Sequence, residues 1–282
     1  MTLSELYRKA RSDFRNAEID SPQYDAMCLM EHFFGVNRAE LVVSGDKSPK
    51  AELEAEFLAA VEKRSSGYPL QYILGEWTFM DIPLFVGEGV LVPRDDTEVL
   101  VREAIERIKG VENPKIIDLC SGSGAVAIAL AKAYPKAEIL AVELSDKAFT
   151  YLEKNIKCNA CENIKAIKGD MFKLYEEFSD SEFDAVLSNP PYIKSDVIAT
   201  LAKEVQHEPK LALDGGKDGM IFYNFIAENW KNKIKKNGFI GVEIGEDLTN
   251  EVVELFKKNN LEDIYVLKDM ADLDRAVFGT VR

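Results

Sequence analysis

The chain has 282 residues, 46% of them apolar and 30% charged. That composition excludes a disordered or collagen-like polypeptide. With 35 Lys and Arg against 49 Asp and Glu, the net charge is −14. Duplex nucleic acid is therefore disfavoured as the main partner, because tight binding to a phosphate backbone draws on a basic face. A basic protein partner suits the balance better.

No run approaches the roughly 18 apolar residues of a membrane span. Met1 to Glu5 lacks the basic-then-apolar layout of a signal peptide, and Glu5 and Asp13 speak against a transit peptide. A cytoplasmic protein is the expectation. The four cysteines are too few for a disulfide scaffold. Cys158 and Cys161 have zinc-like spacing but no second pair, and His32 and His207 lie far off, so no metal is expected.

Residues 1 to 70 read as a small helical domain. Leu3, Leu6, Tyr7, Ala10 and Phe14 recur at helical spacing. Ser21-Pro22 starts a second helix, which Gly35 closes. Asn37 and Glu40 form a capping box for a short third. Ser48-Pro49 repeats the start signal ahead of Leu53, Phe57, Leu58 and Val61. Residues 71 to 92 alternate, with Gly75, Pro83, Gly87 and Gly89 as punctuation, and predict a hairpin linker.

From residue 93 onward strands and helices alternate. Strands are predicted at 115–119, 138–142, 164–168, 183–188, 239–244, 264–267 and 276–281. Helices are predicted at 124–133, 146–159, 219–236 and 245–258. The fold class is α/β: an open, mostly parallel sheet with helices on both faces and an antiparallel closing strand.

Two segments carry a cofactor signature. Ile116 to Gly124 runs from an apolar strand through Asp118-Leu119-Cys120-Ser121-Gly122-Ser123-Gly124 into a helix. The glycines allow close ligand approach, and the helix start offers free N–H groups. Glu143 follows 19 residues after Gly124, at the end of the next strand, where an acid can accept ribose hydroxyls. Asp-Leu-x-x-Gly-x-Gly resembles the first motif of Rossmann-like S-adenosylmethionine methyltransferases. The resemblance implies that Asp118 supports the turn and the amino-acid end of the cofactor. It further implies that Asp170 approaches the adenine amine and that Met171 covers the ring. Cys120 stands where that group more often has Gly.

Asn189-Pro190-Pro191-Tyr192 follows another apolar strand. Paired prolines stop the strand and make a rigid turn at the carboxyl edge of the sheet. This tetrapeptide resembles the motif of enzymes that methylate planar amino nitrogens, either exocyclic base amines or a glutamine amide. Such nitrogens are poor nucleophiles because their lone pair is delocalised. The Asn189 side-chain oxygen and the Pro190 carbonyl can each accept one N–H and favour a tetrahedral nitrogen, while Tyr192 packs on the flat acceptor. No metal is required.

Four segments together narrow the choice: Pro93-Arg94-Asp95-Asp96-Thr97-Glu98, the turn at Asp118 to Gly124, Asn189 to Tyr192, and Glu208-Pro209 through Ala212-Leu213-Asp214-Gly215-Gly216-Lys217-Asp218-Gly219. In that order they resemble the peptide chain release factor glutamine methyltransferases, the HemK/PrmC family. The resemblance covers nearly the whole chain. It implies methyl transfer from S-adenosylmethionine, leaving S-adenosylhomocysteine, to the Gln of the Gly-Gly-Gln loop of bacterial-type class 1 release factors. Cys120, Ser121, Gly122, Ser123, Gly124, Glu143, Asp170, Met171 and Asn189 would hold the cofactor. Asn189, Pro190, Pro191 and Tyr192 would bind the Gln. The helical domain would recognise a second surface of the factor. Arg94 reads equally as a cofactor neighbour or a helix-entry salt bridge, and Asp95 as a possible N-cap; His207 reads as structural. A monomer without stable nucleic-acid or membrane binding is expected. The alternatives are an adenine or guanine exocyclic-amine methyltransferase acting on DNA or RNA, which needs a flipped base and a basic face, and a catalytically inert binding module.

Overall fold

The computed structural model describes all 282 residues. The backbone divides into two compact units, Met1–Gly75 with Ala202–His207, and Glu76–Leu201 with Glu208–Arg282.

The smaller unit is helical: α1 (Leu3–Asn16), α2 (Pro22–Phe34), α3 (Arg38–Ser44), α4 (Ala51–Ser65) and the short α5 (Leu70–Leu74). Thr2 and Glu5 form a capping box on α1, and Asn37 and Glu40 form one on α3. Leu3, Leu6, Ala10 and Phe14 are buried, as the helical spacing predicts. Gly35 ends α2 with φ +63°. The Ser48-Pro49 signal falls early: α4 starts at Ala51 after an extended Lys50. One step upstream, the Gly45 and Lys47 carbonyls accept hydrogen bonds from the Ser4 and Leu3 amides and tie the turn after α3 to the start of α1.

One ion pair organises this unit. Arg64 of α4 donates from Nε to Asp25 Oδ2 at 2.7 Å and from Nη1 to the Tyr68 carbonyl at 3.2 Å. Its Nη1 also lies 2.9 Å from Glu204 Oε2, which fastens the 202–207 segment to the bundle. Burial raises the Asp25 pKa, opposed by the Arg64 guanidinium. Asp25 is thus tolerated in the interior only with its cation.

The larger unit begins with a hairpin, β1 (Glu76–Phe79) and β2 (Ile82–Phe85), read from sequence as a linker. Instead, Phe79, Ile82 and Leu84 are buried in the core of this unit. Asn155 Nδ2 donates to the Phe85 carbonyl at 3.0 Å, and its Oδ1 accepts from the Phe85 amide at 2.7 Å.

Then come α6 (Glu98–Ile108), β3 (Lys115–Leu119), α7 (Ala125–Ala133), β4 (Glu138–Glu143), α8 (Asp146–Cys158), β5 (Ile164–Lys168), the short α9 (Met171–Leu174) and β6 (Phe183–Ser188). The chain closes with α10 (Ile221–Glu228), β7 (Ile234–Glu243), α11 (Thr249–Lys258), β8 (Glu262–Lys268) and β9 (Asp274–Thr280). The seven-stranded sheet has the order β5-β4-β3-β6-β7-β9-β8, and β9 alone runs against its neighbours. The single helix expected over 219–236 is broken. Trp230 is fully buried in a 3-10 turn, donates to the Met171 carbonyl at 3.2 Å, and leaves Ile234 to pair with Phe183.

Successive strand residues face opposite layers. Ile116, Ile139, Ala185 and Leu187 pack with α6, α7 and α8. Ile117, Leu140, Val186 and Ile240 pack with α9, α10 and α11. Chain leaving β3 and β4 therefore goes to one face, and chain leaving β6 and β7 to the other. Between β3 and β6 lies a topological switch point, where open α/β sheets form a crevice at the strand carboxyl ends. No helix is long and apolar enough to cross a membrane.

Removing one partner of a buried pair leaves the other charge uncompensated, at a cost of about 3–5 kcal/mol. Arg64→Ala should therefore lose about 3 kcal/mol or more of unfolding free energy in urea, with far-UV circular dichroism as readout. The double variant Arg64→Met with Asp25→Leu should recover most of it.

Candidate functional site

A cavity of about 260 Å³ opens at the switch point. Four strand ends supply its wall: Cys120 to Ser123 after β3, Glu143 to Ser145 at β4, Gly169 to Phe172 after β5, and Asn189 and Pro191 after β6. Pro93, Arg94 and Thr97 close one side, and Pro209, Leu211 and Ala212 another.

The β3 turn is held by its own backbone: the Ser121 amide donates to the Val142 carbonyl at 2.9 Å and the Gly124 amide to the Ser121 carbonyl at 2.8 Å. Gly124 has φ +86°, and a Cβ there would lie 2.7 Å from Leu152 Cδ1. Side chains are excluded both by conformation and by the packing of α8. Gly122 has φ +55°, and nothing stands within 4 Å of where its Cβ would be. Cys120 adopts φ +60°. Left-handed backbone explains why glycine suits this position, and Cys carries a conformational cost of about 1–2 kcal/mol there. Burial pushes its thiol pKa up, assisted by the Glu143 and Asp118 carboxylates.

Two carboxylates meet at this turn. Glu143 Oε2 accepts from the Gly122 amide at 2.8 Å, and Oε1 from the Ser145 amide at 2.6 Å. Burial raises its pKa against those backbone donors. Each oxygen retains a further lone pair. Asp118 is 1% exposed, and its Oδ2 has no hydrogen-bond partner. Desolvation raises its pKa to about 7, with the nearby Glu143 carboxylate adding to the rise. A buried polar atom without a partner is costly, and this one belongs to a residue that lines the cavity.

After β5, Asp170 Oδ1 accepts from the Phe172 amide at 3.0 Å and caps α9. Met171 is buried, with its sulfur 3.7 Å from Cys120 Sγ.

The Asn189 to Tyr192 turn is held from both ends. Ser188 Oγ donates to the Leu119 carbonyl at 2.7 Å, tying β6 to β3. The Ile193 amide donates to the Leu213 carbonyl, and the Gly215 amide to the Ile193 carbonyl, both at 2.9 Å. A Cβ at Gly215 would lie 2.6 Å from Tyr192 Cα, so glycine is required by close approach. Glu208, in the same downstream stretch, pairs with Arg94. That long-range pair replaces the helix-entry salt bridge considered for Arg94. Asp95 makes no side-chain cap bond; Asp95–Thr97 is a 3-10 turn leading into α6.

Cys120, Ser121, Gly122, Ser123, Glu143, Asp170, Met171, Asn189 and Pro191 thus line one cavity. Gly124, Pro190 and Tyr192 adjoin these residues in sequence and are not among those that line it. The Tyr192 hydroxyl lies 3.3 Å from Glu243 Oε1. His207 is exposed in the smaller unit, its ring 5.2 Å from that of Tyr68. Sequence reasoning singled out neither Thr97 nor Glu243 individually, although Thr97 Oγ1 accepts from Asn189 Nδ2 at 3.1 Å and donates to Glu243 Oε2 at 2.6 Å. One signal was present: Glu243 ends an apolar strand, as Glu143 does.

The sheet order, the glycine turn and the cavity define a Rossmann-like methyltransferase. Two solved structures share the fold at low identity. A methyltransferase from Pyrococcus furiosus has a TM-score of 0.51 at 16% identity, covering 82% of this chain and 98% of that one. The hMettl16 catalytic domain gives 0.55 at 15%, covering 83% of each. Family models match as "PrmC N-terminal domain" over residues 5–75 and "Methyltransferase small domain" over 95–226. A release factor glutamine methyltransferase of Clostridium botulinum is 34% identical over 98% of both chains. Its counterpart in Thermodesulfovibrio yellowstonii is 39% identical over 77% of this chain and 78% of that one. The chain belongs to the release factor glutamine methyltransferase family.

An acid whose folded pKa lies above its unfolded value makes the folded state bind more protons, so stability falls as pH rises. For Asp118 the fall runs from near 3.8 to about 7. It amounts to about 4 kcal/mol. In ligand-free protein, Asp118→Asn should flatten the decline in unfolding free energy over that window by an amount of this order. An unchanged pH profile by urea denaturation would refute the burial argument.

Proposed function

We propose that the chain transfers the methyl group of S-adenosylmethionine to the side-chain amide nitrogen of the Gln in the Gly-Gly-Gln motif of peptide chain release factors. One observation carries this reading. Asn189 lines the cavity with its amide nitrogen already engaged by Thr97, which leaves Oδ1 to accept a substrate N–H.

The cavity fits the cofactor. Asp118 Oδ2, buried and unpartnered, would receive the ammonium of the amino-acid end. Cys120 to Gly124 would hold that end, Glu143 would take the ribose hydroxyls, and Asp170 and Met171 would meet adenine. Bound S-adenosylmethionine supplies a methyl group on a sulfonium, whose departure leaves a neutral thioether. Asn189 Oδ1 and the Pro190 carbonyl each accept one N–H of the substrate amide, which draws the nitrogen toward tetrahedral geometry and aims its lone pair. Tyr192 and the prolines keep that pair of acceptors rigid. The methylated amide then releases its proton to water, so no general base is needed.

Base methylation in nucleic acid is the weaker reading. It would use the same turn, but relatives matched across nearly the whole chain carry the release-factor name, and the charge is −14.

Labelled S-adenosylmethionine should mark intact release factor but not tRNA or DNA. Gln→Ala in the factor should abolish the label. Asn189→Ala in the enzyme should lower kcat by about 10²-fold or more, the usual cost of one oriented hydrogen-bonding group. Label on nucleic acid alone would overturn the assignment.

The smaller unit supplies remote contacts, because a short Gln loop offers too little area for specificity. Its α3 exposes two adjacent apolar side chains, Val42 at 86% and Val43 at 84%. Val42→Ser with Val43→Ser should raise KM for the release factor by about tenfold at unchanged kcat, as expected for uniform binding.

A further inference from the structure

From the cavity wall inward, three side chains form a relay: Asn189 and Thr97 line the cavity, and Glu243 follows Thr97. Asn189 Nδ2 and Thr97 Oγ1 are 3.1 Å apart, and Thr97 Oγ1 and Glu243 Oε2 are 2.6 Å apart. Glu243 Oε1 accepts from the Tyr192 hydroxyl at 3.3 Å. Thr97 is 4% exposed and Glu243 2%. Water therefore cannot readily replace either partner.

The direction of each hydrogen bond follows from chemistry. An ionised carboxylate only accepts, and a hydroxyl has one proton to give. With Glu243 ionised, the Thr97 proton is committed to Oε2. Thr97 then presents a lone pair to Asn189, and only Nδ2 can answer a lone pair. The amide is fixed with Oδ1 on its other side. Asn189 has no other way to know its orientation, because oxygen and nitrogen of an amide are nearly equal in size.

We propose that Glu243 and Thr97 are positioning residues that lock the Asn189 amide with its oxygen toward the substrate, the charge of Glu243 setting the polarity. The proposal rests on the reading of Asn189 as the acceptor for the substrate amide. Protonated Glu243 would donate to Thr97 Oγ1. The Thr97 proton would then turn to Asn189, and Oδ1 would rotate inward to meet it. Two NH2 groups would face each other in the cavity, and the nitrogen to be methylated would lose its acceptor.

The surroundings place that reversal near neutrality. Burial raises the Glu243 pKa to about 7, against the opposing effects of Thr97, Arg275 and Tyr192. Arg275 on β9 favours the ionised form, and Asp96 beside Thr97 opposes it. Tyr223 of α10 donates to the Glu243 backbone carbonyl at 2.8 Å and leaves the carboxylate to the other two hydroxyls. Burial keeps the Tyr192 phenol protonated, with its pKa well above the usual range, so it remains a donor throughout. The sign is thus fixed: the productive orientation is lost as pH falls through about 7.

The test compares wild type, Thr97→Val and Thr97→Ser in methyl transfer to purified release factor at saturating S-adenosylmethionine, from about pH 5.5 to about 8.5. Wild-type kcat should fall on the acid side of about pH 7. Thr97→Val should lower kcat by about 10- to 100-fold at pH 8, with KM for the factor and the cofactor Kd from calorimetry within about threefold, and its acid limb should vanish. Thr97→Ser, which keeps the hydroxyl, should restore both rate and acid limb. Wild-type rate and acid limb in Thr97→Val would overturn the relay, as would failure of Thr97→Ser to restore them. The NMR signals of the Asn189 side-chain NH2 in wild type, assigned through Asn189→Ala, give a readout that survives misfolding of a variant. They should shift with a midpoint near pH 7, and pH-invariant signals would overturn the proposal. Wild-type enzyme inactive on the factor would instead remove the functional reading beneath it.

Discussion

Everything at the site follows from the divergence of β3 and β6. The two strands pair side by side, with Leu119 opposite Ser188. Their continuing chains must part, one to the α7 face and one to the α10 face. The Ser188 hydroxyl, bonded to the Leu119 carbonyl, holds the strand ends together up to the point of departure. Beyond it, the chains leaving the two strands line one cavity from opposite sides, Cys120 to Ser123 from β3 and Asn189 and Pro191 from β6. The rest of the methyltransferase unit serves this opening. Gly124 lets α7 start at once beneath it, and paired prolines keep β6 from continuing into a helix. Gly215 lets the returning chain press against Tyr192.

Much of this was legible because it is local. Short apolar runs bounded by turn residues, alternating with stretches of period 3.6, located the strands of the sheet, since strands covered on both faces are apolar throughout. The turns at Asp118 to Gly124 and at Asn189 to Tyr192 announce themselves through glycine and proline, whose backbone restrictions act within a few residues. What stayed hidden is long-range. Thr97 lies 92 residues from Asn189 and 146 from Glu243. No periodicity relates three single residues on different elements. Residues 202–207 join the helical bundle through Arg64 and Glu204, which sequence spacing could not foretell. The break at Trp230 was missed for a related reason. Residues 219–236 are helical in local preference, but a fully buried indole and the pairing of Ile234 with Phe183 outweigh that preference. The hairpin at Glu76–Phe85 looked like a linker because its alternation is short; its apolar face is nevertheless buried in the core.

Three buried carboxylates give the site its chemical character. Asp118, Glu143 and Glu243 end or nearly end three strands of one sheet, and all have raised pKa values caused first by desolvation. Their compensation differs. Glu143 is satisfied by backbone amides of a rigid turn, Glu243 by hydroxyls, and Asp118 keeps one oxygen with no partner. The ordering is informative. An acid satisfied by fixed amides serves as architecture. One satisfied by hydroxyls, whose protons can rotate, can pass its charge state along. One left unsatisfied carries its desolvation cost uncompensated.

That gradation links stability to function in one direction. Each of these buried acids carries a desolvation cost that its hydrogen bonds offset only in part. The sheet carries a desolvation penalty that concentrates at the strand ends around the cavity. Asp118 holds a cost that a cationic ligand would relieve, so binding there draws on strain already present in the folded chain. Glu243 holds a comparable cost that no cofactor relieves, and it is separated from the cavity by Thr97. A penalty kept out of a ligand's reach needs a different justification, and orientation of a neighbouring amide is one that its geometry supplies. The same burial that makes Glu243 costly also keeps bulk water from competing for Thr97. An exposed carboxylate could not dictate the polarity of a hydrogen bond two atoms away, because solvent would offer both donors and acceptors at every step.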